Sequence, residues 1–312
     1  MPCYHPLQAW RARVPNSATG KTPIVFAPEN GDTDQPIMVG CGQCIGCRLK
    51  RSRDWALRCL HENSLHDQST FITLTYDDDH LPSDKSLNKR DWQLFMKRLR
   101  KSLPNKTIRF YMAGEYGTNQ DITSLDTIGR PHYHAILFGH DFMDKEVHSE
   151  NHNGDLIYTS KNLENIWPWG FNTIGDVTFE SAAYVARYCT KKITGPEADD
   201  HYNHLDTFTG EYVKRMPEFN LCSLRPGIAA SWYRKYHSDL DKGFVTHKGI
   251  KHPIPPYYDK LIERHNLELY EKLKTQRVES IDPMHPDLTP KRLADREKVK
   301  LIRTKTLKRN KQ

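Results

Sequence analysis

The run Arg-Pro-His-Tyr-His-Ala-Ile-Leu-Phe, which ends at Phe138, constrains the fold more than any other segment of this chain. β-Branched and aromatic residues follow the two histidines and Gly139 closes the run, so the sequence predicts a β-strand over 131–138. Alternate residues of a strand point to the same face, and His132 and His134 therefore project together. A neutral imidazole is a common metal ligand, which makes this pair a candidate metal site.

A third ligand is expected from the preceding predicted strand, residues 107–116. Residues 117–130 are rich in Gly, Thr, Asn and Asp, which is typical of a long hairpin loop. Antiparallel pairing of 107–116 with 131–138 would bring Glu115 beside the histidines. Two imidazoles and a carboxylate suit Mg²⁺ or Mn²⁺ acting on a phosphate, although histidine ligands also suit zinc. The alternative is a surface or partly buried His-x-His pair that binds no metal.

A second motif lies further along the chain, where Tyr184, Tyr188 and Lys191 have the spacing of one helical stripe. Residues 180–192 contain neither Pro nor Gly, and the sequence predicts a helix there. Aromatic residues at this spacing usually face a core, but a buried lysine is costly unless it is paired, which favours a wet cleft. A phenol, with a pKa of about 10, becomes a useful nucleophile when a nearby cation such as Lys191 stabilises the phenolate.

The pair of motifs resembles the metal motif and the two-tyrosine motif of HUH endonucleases. The chain is similar in particular to the replication-initiation proteins of small single-stranded-DNA phages, the microviruses, and especially their gokushovirus branch. This similarity extends from the N-terminus to about Tyr236. The further stretches that carry it are Phe71-Ile72-Thr73-Leu74-Thr75-Tyr76, Cys41-Gly42-Gln43-Cys44-Ile45-Gly46-Cys47-Arg48, Gly114-Glu115-Tyr116-Gly117 and Arg225-Pro226-Gly227-Ile228.

The resemblance implies a rolling-circle replication initiator with an HUH endonuclease-like fold. Such a protein would be a metal-dependent, site-specific endonuclease and strand transferase acting on single-stranded or origin DNA. It would form a 5′-phosphotyrosine intermediate and a 3′-hydroxyl primer, with a host helicase and a host DNA polymerase as partners. The order in which the tyrosines act is left open. The residues implied are the metal ligands His132, His134 and Glu115, the nucleophiles Tyr184 and Tyr188, and the assisting Lys191.

Seven cysteines occur in the chain, and an odd, clustered set does not fit a disulfide framework. The triplet Cys41-x-x-Cys44-x-x-Cys47 has the spacing that favours a tetrahedral structural zinc ion, with an iron–sulfur cluster as a second interpretation. Cys3 is the first choice for the fourth ligand because it would fix the N-terminus, and Cys59 and His61 are alternatives. The chain opens without an apolar signal segment, so the reducing cytoplasm of a bacterial host is the expected location.

Positive charge is concentrated at the C-terminal end. Residues 291–312 hold ten Lys or Arg against two acidic residues, which leaves 36 basic and 37 acidic residues in the rest of a chain of net charge +7. This tail is predicted to be a basic helix or disordered arm that touches phosphates, or else a solvated tail. Arg48, Arg51 and Lys192 are further candidate DNA-binding residues. No apolar run approaches the ~20 residues of a membrane span, so no membrane partner is expected.

Hydrophobic periodicity and turn residues divide the chain into predicted segments. The predicted elements are strand 70–76, helix 88–103, strand 107–116, strand 131–138, helix 161–166, strand 171–178, helix 180–192, loop 195–215, a helix from Pro226 through Tyr236, and helix 258–276. Their order predicts an α+β fold, in which an antiparallel central sheet carries helices on its faces and the two-histidine strand is central. The predicted domains are a Cys-rich segment with a helix (1–66), a nickase core (67–240) and a helical, basic extension (241–312).

Two other functions fit parts of the pattern. A non-enzymatic, zinc-bearing nucleic-acid-binding protein explains the cysteines and the basic tail, but it leaves the tyrosine motif unexplained. An HUH enzyme of plasmid replication or transposition would share the proposed chemistry. Gly20-Lys21-Thr22 resembles part of a P-loop, but Pro15 occupies the place of its first glycine, so no ATPase is predicted.

Overall fold

The computed structural model describes residues 3–18, 20–118, 128–151, 154–188, 192–193, 197–205, 210–282 and 285–309. The chain divides into two compact units, one made of residues 1–50 and 281–309 and the other consisting mainly of residues 51–280. The sequence-based domains have their boundaries after residues 66 and 240 instead. The division into three domains, 1–66, 67–240 and 241–312, stays a prediction.

The described strands are β1 (Leu7–Arg11), β2 (Ile24–Val25), β3 (Ile37–Val39), β4 (Ser69–Tyr76), β5 (Arg109–Thr118), β6 (Ile128–Phe138), β7 (Lys145–Glu150), β8 (Leu156–Ser160), β9 (Gly170–Gly175), β10 (Asn203–Leu205), β11 (Tyr212–Lys214), β12 (Phe219–Cys222), β13 (Phe244–His247) and β14 (Ile250–Pro253). The described α-helices are α1 (Ile45–Asn63), α2 (Lys89–Ser102), α3 (Lys161–Ile166), α4 (Phe179–Tyr188), α5 (Glu197–Tyr202), α6 (Ala230–Tyr236), α7 (Pro256–His265), α8 (Leu267–Glu279) and α9 (Pro290–Arg309).

The larger unit is built on a seven-stranded sheet in the order β12-β5-β6-β4-β9-β8-β7. Every pairing described within this sheet is antiparallel. β6 carries both histidines and has β5 and β4 as neighbours, so it lies inside the sheet. The prediction of an antiparallel sheet with helices is therefore confirmed.

Helix α2 covers one face of this sheet. The side chain of Asn88 caps its first turn by accepting a hydrogen bond from the backbone N–H of Arg90 at 2.8 Å. Its apolar stripe packs with Ile72 and Leu74 of β4 and with Tyr133 of β6. The buried side chains of the stripe are Trp92, Phe95, Met96 and Leu99. Burial of each such side chain contributes about 1.5–3 kcal/mol to folding, which fixes α2 to the sheet.

Helices α1, α4, α6 and α7 contribute to a second buried cluster. The small residues Ala182, Val185 and Ala186 of α4 pack there with Ile136 and Phe138 of β6. Residues 136 and 138 point to the same face of β6 as the two histidines, because side chains alternate along a strand. The helix that carries the tyrosine motif therefore lies on the histidine face of the sheet.

The smaller unit joins the two ends of the chain. β1 pairs with β2 and β3. Tyr4, Cys44 and Leu293 form its buried cluster, so α9 packs against the N-terminal segment. His5 Nε2 also lies 2.5 Å from a carboxylate oxygen of Glu297 on α9. The basic tail thus includes a helix that is anchored by its apolar residues.

Several predicted elements need correction at their ends. The hairpin loop expected at 117–130 is shorter, since β5 continues to Thr118 and β6 begins at Ile128; residues 119–127 lie outside the described part. The strand expected over 171–178 ends at Gly175, because Thr178 already caps the next helix. The predicted strands 70–76, 107–116 and 131–138 and helices 88–103 and 161–166 are confirmed, with small shifts at their ends.

Larger corrections lie in the second half of the chain. Segment 195–215, expected to be a loop, contains α5 and the hairpin β10–β11. The helix expected from Pro226 begins only at Ala230, because Ala229 has a left-handed φ of 66°. The helix expected over 258–276 is divided at Asn266, whose side chain caps α8. Among the described residues, no helix combines the length and the apolar character needed to cross a membrane.

Candidate active site

The register of three neighbouring strands brings the predicted metal ligands together. Glu115 on β5 is the direct partner of His132 on β6. On the other side of β6, His132 and His134 are the partners of Thr75 and Thr73 on β4. Directly opposite side chains share a face, so the carboxylate and both imidazoles point to one side of the sheet.

The two imidazoles converge on a single carboxylate oxygen. His132 Nε2 lies 2.7 Å and His134 Nε2 lies 2.9 Å from Glu115 Oε1. All three potential ligand atoms lie within 4.8 Å of one another. Glu115 is only 1% exposed and His134 only 5%, so little water competes for these atoms. The group has the donor types and the spacing that a metal ion needs.

The Nδ1 atom of each histidine lies at hydrogen-bond distance from a neighbouring group. His132 Nδ1 lies 3.1 Å from the backbone carbonyl of Arg130, and His134 Nδ1 lies 2.9 Å from the Thr73 hydroxyl. Because a carbonyl only accepts, this contact assigns the proton of a neutral His132 to Nδ1. Its bare Nε2 would then face a carboxylate oxygen at hydrogen-bond distance. A metal ion between this nitrogen and the carboxylate would bind both atoms.

The carboxylate is ionised under ordinary conditions. Burial raises the pKa of Glu115, but hydrogen bonds and charge from His132 and His134 outweigh it and lower the pKa to about 2. The donor set is thus one anionic oxygen and two imidazoles. Such a set fits Mn²⁺ or Mg²⁺ with additional oxygen ligands, and it also fits zinc.

Tyr184 reaches this site from α4. Thr178 and Ser181 cap the helix reciprocally. The Thr178 N–H donates to the Ser181 hydroxyl at 2.8 Å, and the Ser181 N–H donates to the Thr178 hydroxyl at 3.0 Å. The half-buried Tyr184 ring stands edge-on to His134, with ring centroids 5.1 Å apart, and to Phe71 at 6.2 Å. The structure therefore brings Tyr184 together with the predicted metal ligands.

Two residues of this site were not foreseen from the sequence. Thr73 orients His134, and its only signal is a polar residue inside an apolar strand. The guanidinium carbon of Arg187 lies 5.9 Å from the centroid of the Tyr184 ring, one helical turn further along. Its i+3 spacing from Tyr184 is the signal that could have identified it.

The other predicted site residues occupy different surroundings. Tyr188 is the last residue of α4, and its side chain and Lys191 lie outside the described part of the structure. Lys192 is exposed and not helical, which corrects the predicted helix end. Arg48 is half-buried and Arg51 is exposed, and both lie on α1.

A cleft of about 920 Å³ adjoins the tyrosine. Its lining includes Thr73, His134 and Tyr184. It also includes four acidic side chains: Glu150, Asp155, Asp176 and Glu180. Their negative charge disfavours an anionic group in this cleft.

The cysteine triplet and Cys3 form a second group able to hold a metal. Their four sulfur atoms lie within 4.8 Å of one another. Backbone N–H groups donate to sulfur, from Cys41 to Cys3 at 3.2 Å and from Tyr4 to Cys44 at 3.3 Å. Burial raises the pKa of Cys44, but hydrogen bonds from the Tyr4 N–H, Cys47 and Cys41 outweigh it and lower the pKa to about 7. Four sulfurs supported by N–H donors fit a tetrahedral zinc ion.

The two alternative fourth ligands are used elsewhere. Cys59 is fully buried in the apolar cluster of the larger unit. His61 Nδ1 lies 2.7 Å from the Tyr258 hydroxyl, and its ring stacks on Trp232 at a centroid distance of 3.7 Å. Cys3 is the cysteine that joins the triplet.

These features define a mixed α/β protein with two groups of side chains that could bind metal ions. The family model of replication-associated protein ORF2/G2P matches residues 69–193. That range contains Glu115, His132, His134 and Tyr184. The match therefore falls on the part of the chain that forms the candidate active site.

Curated relatives extend the similarity over most of the chain. Replication-associated protein VP4 of Bdellovibrio phage phiMH2K is 34% identical over 237 residues, which cover 73% of this chain and 68% of that protein. Replication-associated protein ORF2 of Spiroplasma virus 4 is 31% identical over 85% of this chain and 81% of its own length. Replication-associated protein ORF4 of Chlamydia phage 1 is 34% identical over 51% of this chain and 40% of its own. The chain therefore belongs to the family of phage replication-associated proteins. A search of solved structures finds no significant match.

Proposed function

We propose that this protein is a metal-dependent, site-specific single-strand DNA endonuclease and strand transferase with an HUH-type fold, and that it initiates rolling-circle replication. The observation that carries the proposal is the convergence of Glu115, His132 and His134 with the ring of Tyr184 on one sheet face. Family membership supports DNA as the substrate. The half-buried tyrosine, edge-on to a candidate ligand histidine, supports a chemical role for this group over a purely structural one.

In this proposal His132, His134 and Glu115 would hold Mg²⁺ or Mn²⁺, and such an ion would polarise the scissile phosphate as a Lewis acid. The Tyr184 oxygen would attack phosphorus, so an O–P bond forms to the tyrosine and the bond from phosphorus to the 3′ oxygen breaks. The phenolic proton is lost to solvent, and the departing 3′ oxygen takes up a proton to become a 3′-hydroxyl. Tyr188 would perform a second transfer that rejoins a unit-length circle.

Positive charge is available to the phenolate from α4 itself. Arg187 lies over the Tyr184 ring, and its permanent charge would favour the ionised oxygen. Lys191, which follows on the same predicted stripe, would assist in the same way. The 3′-hydroxyl would prime a host polymerase, a host helicase would separate the strands, and both would be met in the cytoplasm of the bacterial host.

We also propose that Cys3, Cys41, Cys44 and Cys47 hold a structural zinc ion. Their residues connect the N-terminal segment to the start of α1, and Leu293 of α9 packs on the same cluster. The ion would substitute for the apolar core that so small a unit lacks. Arg48, Arg51 and Lys192 remain candidate DNA contacts.

A covalent-adduct assay tests the enzymatic proposal. The full chain is incubated with labelled single strands that tile the phage's own genome, with Mn²⁺ or Mg²⁺ or with a chelator, and resolved on a denaturing gel. We expect a metal-dependent protein–DNA adduct that is absent in the Tyr184→Phe/Tyr188→Phe double variant. Tyr212→Phe is the matched control, because Tyr212 is 76% exposed and lies in a separate hairpin. Binding without an adduct would favour the non-enzymatic nucleic-acid-binding alternative.

A further inference from the structure

A row of four residues crosses the sheet at the candidate active site. Glu115 pairs with His132, His132 with Thr75, and Thr75 with Phe171 on β9. Directly opposite residues of neighbouring strands project to the same face. The row therefore places Phe171 on the face that carries the candidate metal ligands, in line with two of them.

Phe171 is exposed although it lies within this sheet. Its exposed fraction is 70%, whereas Glu115 in the same row is 1% exposed. The described pairing between β8 and β9 joins Tyr158 to Ile174, so it lies toward the other end of β9. A single exposed apolar residue is ordinary on a protein surface, and exposure alone would carry no inference. The position of Phe171 in the row is what distinguishes it.

The separation between Phe171 and the histidines matches a short piece of single strand. Two strand spacings of about 4.8 Å put the Phe171 backbone roughly 10 Å from that of His132. This is about three stacked bases at the ~3.4 Å rise of a DNA strand. Tyr184 covers the opposite end of this face, over Phe71. Thr73, Thr75 and Thr173 lie on the same face between the two rings.

The charges around Phe171 favour a base over a phosphate as the contacting group. Asp77 and Asp78 follow β4 at this end of the sheet. His80 Nδ1 lies 2.7 Å from the Asp77 carboxylate, and Arg130 forms an ion pair with Asp78. The Arg130 guanidinium, which also donates to the Tyr76 carbonyl at this end of β4, is thus paired with a carboxylate. The acidic side chains at this strand end disfavour a phosphate, while the exposed Phe171 ring offers an aromatic face.

We propose that Phe171 is a stacking platform for a base of single-stranded DNA that flanks the cleaved phosphate. The inference rests on the proposed function for the position of that phosphate, but stacking itself requires no cleavage. Every base has a π face, so the contact tolerates any sequence and holds the strand rather than reading it. Phe171 would position DNA over the ligand row while remaining outside the chemistry.

Fluorescence of a single 2-aminopurine in oligothymidylate tests the stack, since this base is quenched when it stacks on an aromatic ring. The full-length Tyr184→Phe/Tyr188→Phe protein serves as the parent, which separates binding from cleavage. We expect quenching on binding, and for the added Phe171→Leu change a loss of quenching together with about tenfold weaker affinity. Phe171→Trp should restore both. Tyr212→Leu, which removes another exposed aromatic ring, should change neither.

The outcomes separate this inference from the proposed function. Equal affinity and equal quenching in the parent and the Phe171→Leu variant would overturn the stacking platform, even if the wild-type chain forms a covalent adduct. Phe171-dependent quenching in a protein that forms no adduct would support the platform and refute the nickase. Thermal unfolding of each variant checks that the exposed substitution leaves the fold intact. An affinity loss without lost quenching would also count against stacking.

Discussion

Thr73 offers the sharpest test of how the proposed metal site is held. Its hydroxyl lies 2.9 Å from His134 Nδ1, so Thr73→Val removes this contact while keeping a β-branched side chain that suits a strand. Partners that orient ligating histidines typically contribute 10–100-fold in metal affinity. At 1.4 kcal/mol per tenfold change, the expected loss is about 1.4–2.8 kcal/mol of binding free energy.

Calorimetric titration of the purified chain with Mn²⁺ measures this loss without any assumption about catalysis. We expect the dissociation constant of the Thr73→Val variant to rise by about 10–100-fold. Thr75→Val is the matched control, because Thr75 lies on the same face of the same strand, opposite His132, and none of its described side-chain contacts orients a histidine. Unchanged affinity in Thr73→Val, or an equal loss in Thr75→Val, would refute the orienting role.

Further predictions concern other parts of the molecule. Arg187→Ala should slow adduct formation at least tenfold in a single-turnover gel assay, whereas Arg187→Lys should retain part of the rate. Equal rates in the wild type and both variants would contradict stabilisation of the Tyr184 phenolate by Arg187. Cys44→Ser should lower the zinc content of the purified protein by mass spectrometry, while Cys222→Ser, outside the cluster, should not. Burial and the charge of His247 lower the pKa of His61 to about 4, below the value of about 6.5 for the unfolded chain. As the pH falls, the unfolded chain therefore binds a proton at this histidine before the folded chain does. Between pH 6.5 and 4 the wild type should lose about 3 kcal/mol more unfolding free energy than His61→Gln, measured by urea denaturation. Phe95→Ala should cost about 3–5 kcal/mol of unfolding free energy, and a loss below 1 kcal/mol would contradict its place in the core.

The geometry of the ligand group could be predicted because strand alternation and hairpin pairing act over short distances in sequence. The predicted strand 107–116 ends in Glu115 and Tyr116, and the predicted strand 131–138 begins with the two histidines. A single register brings these residues together, and β5 and β6 adopt it. Thr73 could not be predicted in the same way. Its contact with His134 depends on β4 pairing with β6 across a long stretch of chain, and a threonine in a strand has many ordinary uses.

The missed elements have two different physical causes. β7 is short and largely exposed, with the sequence Lys-Glu-Val-His-Ser-Glu, so no apolar alternation marks it. It forms because β8 offers an edge with which it can pair. The helix break at Asn266 was missed for the opposite reason, since apolar periodicity continues across it while the asparagine side chain caps the next helix. Local patterns identify core strands better than edges and caps.

The positions of the candidate metal ligands and of the proposed nucleophile follow from different kinds of support. Glu115 and both histidines lie on strands that have hydrogen-bonded neighbours on each side, so their backbones are fixed independently of any ion. Tyr184 lies on a short helix that is fixed to the sheet by the small side chains of Ala182, Val185 and Ala186. Small residues let the helix approach the sheet closely, and this closeness is what brings the tyrosine ring within 5.1 Å of His134. Enlarging one of them would lift the tyrosine away from Glu115 and the histidines, so the distance between the proposed nucleophile and the candidate ligands is set by the packing of α4.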